Sequence, residues 1–211
     1  MPIFTCLTGS NADLVREVCN LYVKKGETIA DVTWGKGAFW KNCKQEVTGS
    51  DLIHPERPYN FGKLPYGDSQ FDHVVFDPPY VHTPGKKFQN NATYQNSETH
   101  IREKTTKKYH DAVMQRYSIG MTEASRVASK FLWVKCQDEV CSGLQRWTHI
   151  EVYEIGRRLG LYARDLFVLQ QAHNPTVQYK NQQHARKNHS YLWIFEWPDT
   201  KKQKTISRQL A

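Results

Sequence analysis

The stretch "VVFDPPYVH", Val74 to His82, decides how the rest of the chain is read. Val74, Val75 and Phe76 form a short apolar, β-branched run of the kind that makes a buried strand. Pro78 and Pro79 carry no backbone N–H, so the strand must stop there. Asp77 therefore stands at the carboxyl end of a strand, where an open α/β sheet places its ligands. A capped turn leaving a strand would use the same residues, and the flanking sequence has to separate the two readings.

Upstream, "SNADLVREVCNLYVKKG" is a helix pattern. Ser10 or Asn11 is placed to cap it, and Leu14, Val15, Val18, Leu21 and Tyr22 fall on one face. "TIADVT" follows as a strand, then a glycine turn and a short helix through Phe39 and Trp40. "QEVTGSD" reads as a second strand ending at Asp51. Residues 52–70 are turn-rich, with room for a very short strand near Tyr59 to Phe61. Downstream, residues 81–109 have neither period and form a long polar loop, a length usually tied to function or disorder. A helix is expected from about Asp111. "FLWVKCQ" is a strand, "HIEVYEIGRRLG" a helix, and "DLFVLQ" and "SYLWIFEW" two strands joined by a polar loop over 171–189.

Strand and helix alternate, which argues for a single α/β domain with a mostly parallel sheet. The last two strands have no helix between them and should pair antiparallel. The domain is expected to span 1–198, followed by a flexible basic tail over 199–211.

The chain has 211 residues and a formal net charge of +8, a balance that favours an anionic partner, with nucleic acid the first candidate. Lys86, Lys87, Lys104, Lys107 and Lys108 sit in one polar segment, and Lys180, Arg186 and Lys187 in another. These are the candidate phosphate contacts. The five cysteines form no CxxC pair, which fits reduced thiols in a cytoplasm rather than a disulfide framework or a zinc site. His184 and His189 are poorly spaced for one metal, and no metal is expected. The start has no signal-peptide pattern, and no run approaches the ~18 apolar residues of a membrane span.

"IADVTWGKGAFW" is the second informative stretch. Asp31 lies at the end of the first strand, and Gly35 and Gly37 let the backbone approach a ligand. The third glycine of a dinucleotide fingerprint is missing, and so is the Gly-Lys-Ser/Thr of a P-loop. Asp51 lies where an acidic group meets ribose hydroxyls.

Together these residues resemble the class I S-adenosylmethionine-dependent methyltransferases that modify exocyclic amines of nucleic-acid bases. "DVTWGKGAF" is similar to that family's cofactor loop, "DPPY" to its catalytic motif, "FTCLTGSN" to the segment before the loop, and "HSYLWIFEW" to its final strand. The resemblance implies a Rossmann-like domain with a seven-stranded, mostly parallel sheet, an antiparallel last strand and helices on both faces. It implies S-adenosylmethionine held by Asp31, Thr33, Trp34, Gly35, Gly37, Asp51 and Asp77. It also implies catalysis by Asp77, the Pro78 carbonyl and Tyr80, with Tyr80 stacking on the base.

The likeness is to compact, phage- or prophage-type enzymes without a target recognition domain. Aspartate in the first motif position suits adenine N6, with DNA favoured over RNA and little sequence specificity. The alternatives are an RNA base amino-methyltransferase acting on adenine N6 or guanine N2, and an inactive binding subunit. A nicotinamide oxidoreductase would need the missing glycine, and protein glutamine methyltransferases usually have asparagine where Asp77 stands. Cys136, in an apolar strand, reads as a buried inert thiol rather than a nucleophile.

Overall fold

In the computed structural model the described residues are 2–79, 110–171 and 183–198. The elements are β1 (Cys6–Gly9), α1 (Asn11–Tyr22), β2 (Ile29–Asp31), a 3-10 turn (Ala38–Trp40), β3 (Val47–Gly49) and β4 (Phe71–Phe76). After residue 109 come α2 (His110–Val127), β5 (Ala128–Cys136), the short hairpin β6 (Glu139–Cys141) and β7 (Leu144–Arg146), and α3 (Thr148–Arg158). The chain closes with β8 (Tyr162–Gln171) and β9 (His189–Glu196).

Seven strands form one sheet in the order β1-β8-β9-β5-β4-β2-β3. Only β9 runs antiparallel, to β5 on one side and β8 on the other. The expected class, parallel sheet and antiparallel last strand are all present, but one strand differs from the sequence reading. Asn60 and Lys63 make a single isolated bridge rather than a strand near Tyr59 to Phe61. The seventh strand is Cys6–Gly9, which pairs in parallel with β8 at the far edge.

α1 starts where its capping box says it should. Ser10 Oγ accepts from the Asp13 N–H, and the Asp13 carboxylate accepts from the Ser10 N–H. Leu14, Val15, Val18 and Cys19 bury one face against Val75, Trp133, Leu192 and Ile194. Leu21, expected on that face, is half exposed. Cys19 lies closer to the Val15–Val18 stripe and takes its place.

The other sheet face is covered by α2 and α3. Val113, Tyr117, Met121, Val152 and Ile155 pack there on Val74, Phe76, Leu132, Val134 and Phe195. Alternation along β4 thus splits its side chains between two cores, Val74 and Phe76 on one face and Val75 on the other. The expected helices on both faces are found.

The polar loop over 171–189 is shorter than read, since Gln171 and His189 are strand residues. Residues 81–109, 172–182 and the tail over 199–211 lie outside the described residues. No helix among the described residues is long and apolar enough to cross a membrane.

Candidate active site

The carboxyl ends of β2, β3 and β4 meet at one edge of the sheet, and the loop after β2 is folded over them. Gly35 (φ 54°) and Gly37 (φ 66°) both take the left-handed conformation that favours glycine. Trp34 lies across Gly37 and Gly49: a Cβ added at Gly49 would stand 2.3 Å from a Trp34 ring atom, and at Gly37 2.7 Å. The indole therefore rests directly on backbone, and its position depends on both glycines. The Trp34 N–H donates to the Ser50 carbonyl (3.1 Å), lacing the loop to the residues after β3.

Asp31 is 2% exposed and organises this loop from beneath. One oxygen accepts from the Thr33 N–H (2.9 Å) and hydroxyl (3.2 Å), the other from the Trp40 indole N–H (2.7 Å). Burial pushes its pKa up to about 6, with those hydrogen bonds opposing and the nearby Asp51 adding to the rise. Asp51 in turn accepts from the Gly35 N–H at 2.9 Å and the Ile53 N–H at 3.3 Å.

Asp77 follows β4 directly, as its two prolines require. Its N–H donates to Thr33 Oγ1 at 2.7 Å, so Thr33 bridges Asp31 to Asp77. The residue is half-buried, but Oδ1 is fully buried and has no hydrogen-bond partner among the described residues. Burial pushes its pKa up to about 7, with Lys135 opposing and Asp31 adding to the rise. An acceptor atom left bare in a buried position costs free energy. Arg116 of α2 reaches the Pro79 carbonyl at 3.4 Å.

A cleft of about 430 Å³ opens here, inside the range usual for small-molecule sites. Asp31, Thr33, Trp34, Gly35, Asp51, Asp77 and Pro78 all line it. The structure thus brings together all but one of the expected cofactor residues; Gly37 sits under Trp34 rather than on the wall. Asn11, Phe39, Tyr59 and Phe61 also line it and were not singled out from sequence. Asn11 Oδ1 is buried without a partner among the described residues, a second such acceptor beside this cleft.

Tyr80, Lys86, Lys87, Lys104, Lys107, Lys108 and Lys180 lie outside the described residues. Arg186 and Lys187 stand just before β9, whose antiparallel course puts them at the same edge of the sheet. Lys187 Nζ donates to the Ala185 carbonyl (3.3 Å), and Arg186 Nε is buried without a partner among the described residues. Among the described residues no cluster of His, Cys, Asp or Glu is arranged to hold a metal. Burial pushes the Cys136 thiol up, in keeping with an inert side chain.

No protein-family model matches the chain, and no curated protein does. Solved structures do. A S-adenosylmethionine-dependent methyltransferase from Methanosarcina mazei matches with a TM-score of 0.50 and 13% identity, over 85% of this chain and 96% of that one. The magnesium protoporphyrin IX methyltransferase of Synechocystis PCC 6803, with bound S-adenosylhomocysteine, matches with a TM-score of 0.51 and 11% identity, over 89% of this chain and 83% of that one. A Thermus thermophilus protein named as a DNA modification methylase matches over 64% of this chain, with a TM-score of 0.40 and 15% identity; this chain spans about half (48%) of its length. The fold is that of the Rossmann-like S-adenosylmethionine-dependent methyltransferases.

Proposed function

We propose that the protein methylates an exocyclic amine of a nucleobase, most readily adenine N6 in DNA, with low or short sequence specificity. The observation that carries this reading is Asp77, which lines the cleft beside the Gly35 turn at the end of β4 and whose buried Oδ1 has no hydrogen-bond partner among the described residues. It supplies the acceptor that an NH₂ group needs.

The residues present fit S-adenosylmethionine. The cleft has the right size, Gly35 brings backbone to its wall without a side chain, and Asn11 Oδ1 has no hydrogen-bond partner among the described residues. Trp34, Thr33, Asp31 and Asp51 would hold it, directly or through the loop they shape. When bound, S-adenosylmethionine supplies an electrophilic methyl group.

The protein's own contribution is the treatment of the amine. An aromatic amine is a weak nucleophile because its lone pair is delocalised into the ring. Asp77 accepts one amine proton and the Pro78 carbonyl the other, which favours a pyramidal nitrogen. A carboxylate acceptor contributes roughly 1.5–3 kcal/mol net. The prolines and the Thr33 bond fix the acceptors beforehand. A carboxyl titrating near 7 is also matched to take up the proton the amine must shed near neutral pH. Tyr80 provides the stacking surface, worth about 1–3 kcal/mol, that offsets drawing the base out of a duplex. The net charge of +8 and the basic segments supply phosphate contacts.

The test is mass spectrometry of nucleosides from DNA and from RNA incubated with the protein and S-adenosylmethionine. N6-methyladenine in DNA is expected. Methylation of RNA alone moves the substrate to RNA, and an unmethylated product from both polymers refutes the reading.

A further inference from the structure

A row of buried polar groups runs under the cleft on the sheet face that carries α1. The β4–β5 register pairs Val75 with Trp133 and Phe76 with Val134, so the next step sets Lys135 beside Asp77. Val75 and Trp133 both pack into the α1-side core. Two residues further along each strand, Asp77 and Lys135 therefore point to that same face. Asp31 lies two residues beyond Ile29 of that core, and Ser190 two before Leu192. The row Ser190, Lys135, Asp77, Asp31 thus crosses four adjacent strands, β9, β5, β4 and β2.

Lys135 is 1% exposed, and its Nζ donates to Ser190 Oγ at 2.5 Å. A cation so deep is costly unless something offsets it. An apolar side chain of the same length would fill the space, and a buried charge pair seldom outdoes such a side chain in stability. A lysine whose charge acts on the Asp77 carboxyl points to chemistry instead.

We infer that Lys135 is a positioning residue for Asp77: its buried ammonium keeps the neighbouring carboxylate ionised and free to accept an amine proton. This rests on the proposed amine methylation. Among the described residues, the groups that face Asp77 are Asp31 from β2 and Lys135 and Cys136 from β5, with Arg116 of α2 at the Pro79 carbonyl. Asp51 acts on Asp31, and Asp138 on Cys136. Lys135 is the cation that acts on Asp77 directly; burial pushes its own pKa down while Asp77 holds it up. With Lys135 removed, burial and the repulsion of Asp31 act on the Asp77 carboxyl without that opposing charge, so it holds its proton to higher pH.

The experiment has two readouts. The first is the Asp77 carboxyl titration followed by carbon-13 NMR, with the resonance assigned by its loss in Asp77→Asn. In Lys135→Met the midpoint should rise by at least about one pH unit. Lys135→Gln, which retains a polar head for Ser190, should shift it the same way and covers the case in which Lys135→Met does not fold. The second is turnover. At pH 7 kcat should fall at least about fivefold, with KM for the cofactor unchanged and most of the rate recovered by pH 9. A purely structural lysine would lower kcat at every pH. An unmoved midpoint overturns the inference, and so does a loss that alkaline pH leaves in place. If the wild-type protein methylates no nucleic acid, the proposed function fails, and the titration alone decides whether Lys135 governs Asp77.

Discussion

Asp77→Asn separates the carboxyl's charge from its shape. A carboxyl raised from 3.8 to about 7 on folding corresponds to about 4 kcal/mol, at roughly 1.4 kcal/mol per pKa unit. Because the residue is half-buried, water reaches part of the group, and about 2–4 kcal/mol is the working range. The sign follows from the direction. The folded state favours the protonated form, so the stability is fully present below about pH 4 and is lost as pH rises through 7. Asparagine carries no such dependence. Urea unfolding of both proteins from pH 4.5 to 8.5, without added cofactor, gives the difference, in which carboxylates that do not interact with Asp77 cancel. Wild type should lose about 2–4 kcal/mol relative to Asp77→Asn across that interval. For a chain of this size that is roughly 5–15 °C in Tm. A difference that stays flat with pH would show that the carboxyl is not held in a desolvated notch, and the catalytic assignment would fall with it.

Three further outcomes follow from the same geometry, together with one for the basic segments. Asp77→Ala should keep S-adenosylmethionine binding and lose at least ~10²-fold in methylation rate, the order for a key polar contact in a transition state; near-normal turnover would reduce Asp77 to a strand cap. Gly49→Ala forces Trp34 off its seat, because the added Cβ would stand 2.3 Å from the ring. It should cost about 1–3 kcal/mol of stability and weaken cofactor binding at least tenfold by calorimetry, and unchanged binding would remove Trp34 from the site. Trp40→Phe deletes the 2.7 Å indole donor to the buried Asp31; chemical denaturation should show a loss of about 1.5–3 kcal/mol, and a negligible loss would show that Asp31 does not depend on it. For the basic segments, log affinity for duplex DNA should fall linearly with log salt, by about 0.9 per phosphate neutralised. The Arg186→Ala/Lys187→Ala pair should lower that slope by up to about two phosphates' worth, and an unchanged slope would take both residues out of the contact.

What could be read from the sequence was what lies close along the chain. Val74 to Pro79 announces its strand, its stop and its carboxylate within six residues, and the Ser10–Asp13 capping box fixes the start of α1 just as locally. Asp31, Gly35 and Asp51 were legible because strand ends in a parallel sheet face one edge, so residues at successive ends converge. Other features depend on partners far along the chain. Cys6–Gly9 is four residues at an edge, and what makes it a strand is β8, paired with it as Cys6 to Val168. Its own residues carry no alternation long enough to show this. Tyr59 and Phe61 look like a strand in isolation, yet they serve as cleft wall after a single bridge.

Lys135 is the sharpest instance. In "FLWVKCQ" it reads as an interruption near the end of an apolar strand, where a long cationic side chain would ordinarily reach for water. Its neighbours in space, Asp77 and Ser190, lie 58 residues before it and 55 after it. Only the sheet order β9-β5-β4, with β9 inserted antiparallel between β8 and β5, brings the three to one face. The strand order that builds the cleft therefore also sets the ionisation of the carboxylate inside it. A cation from β5 favours the ionised carboxylate at the end of β4, and the carboxylate and the Ser190 hydroxyl in turn help to hold that cation. The fold and the chemistry of this edge are thus one arrangement, and a change on β9 such as Ser190→Ala should be felt two strands away, at Asp77.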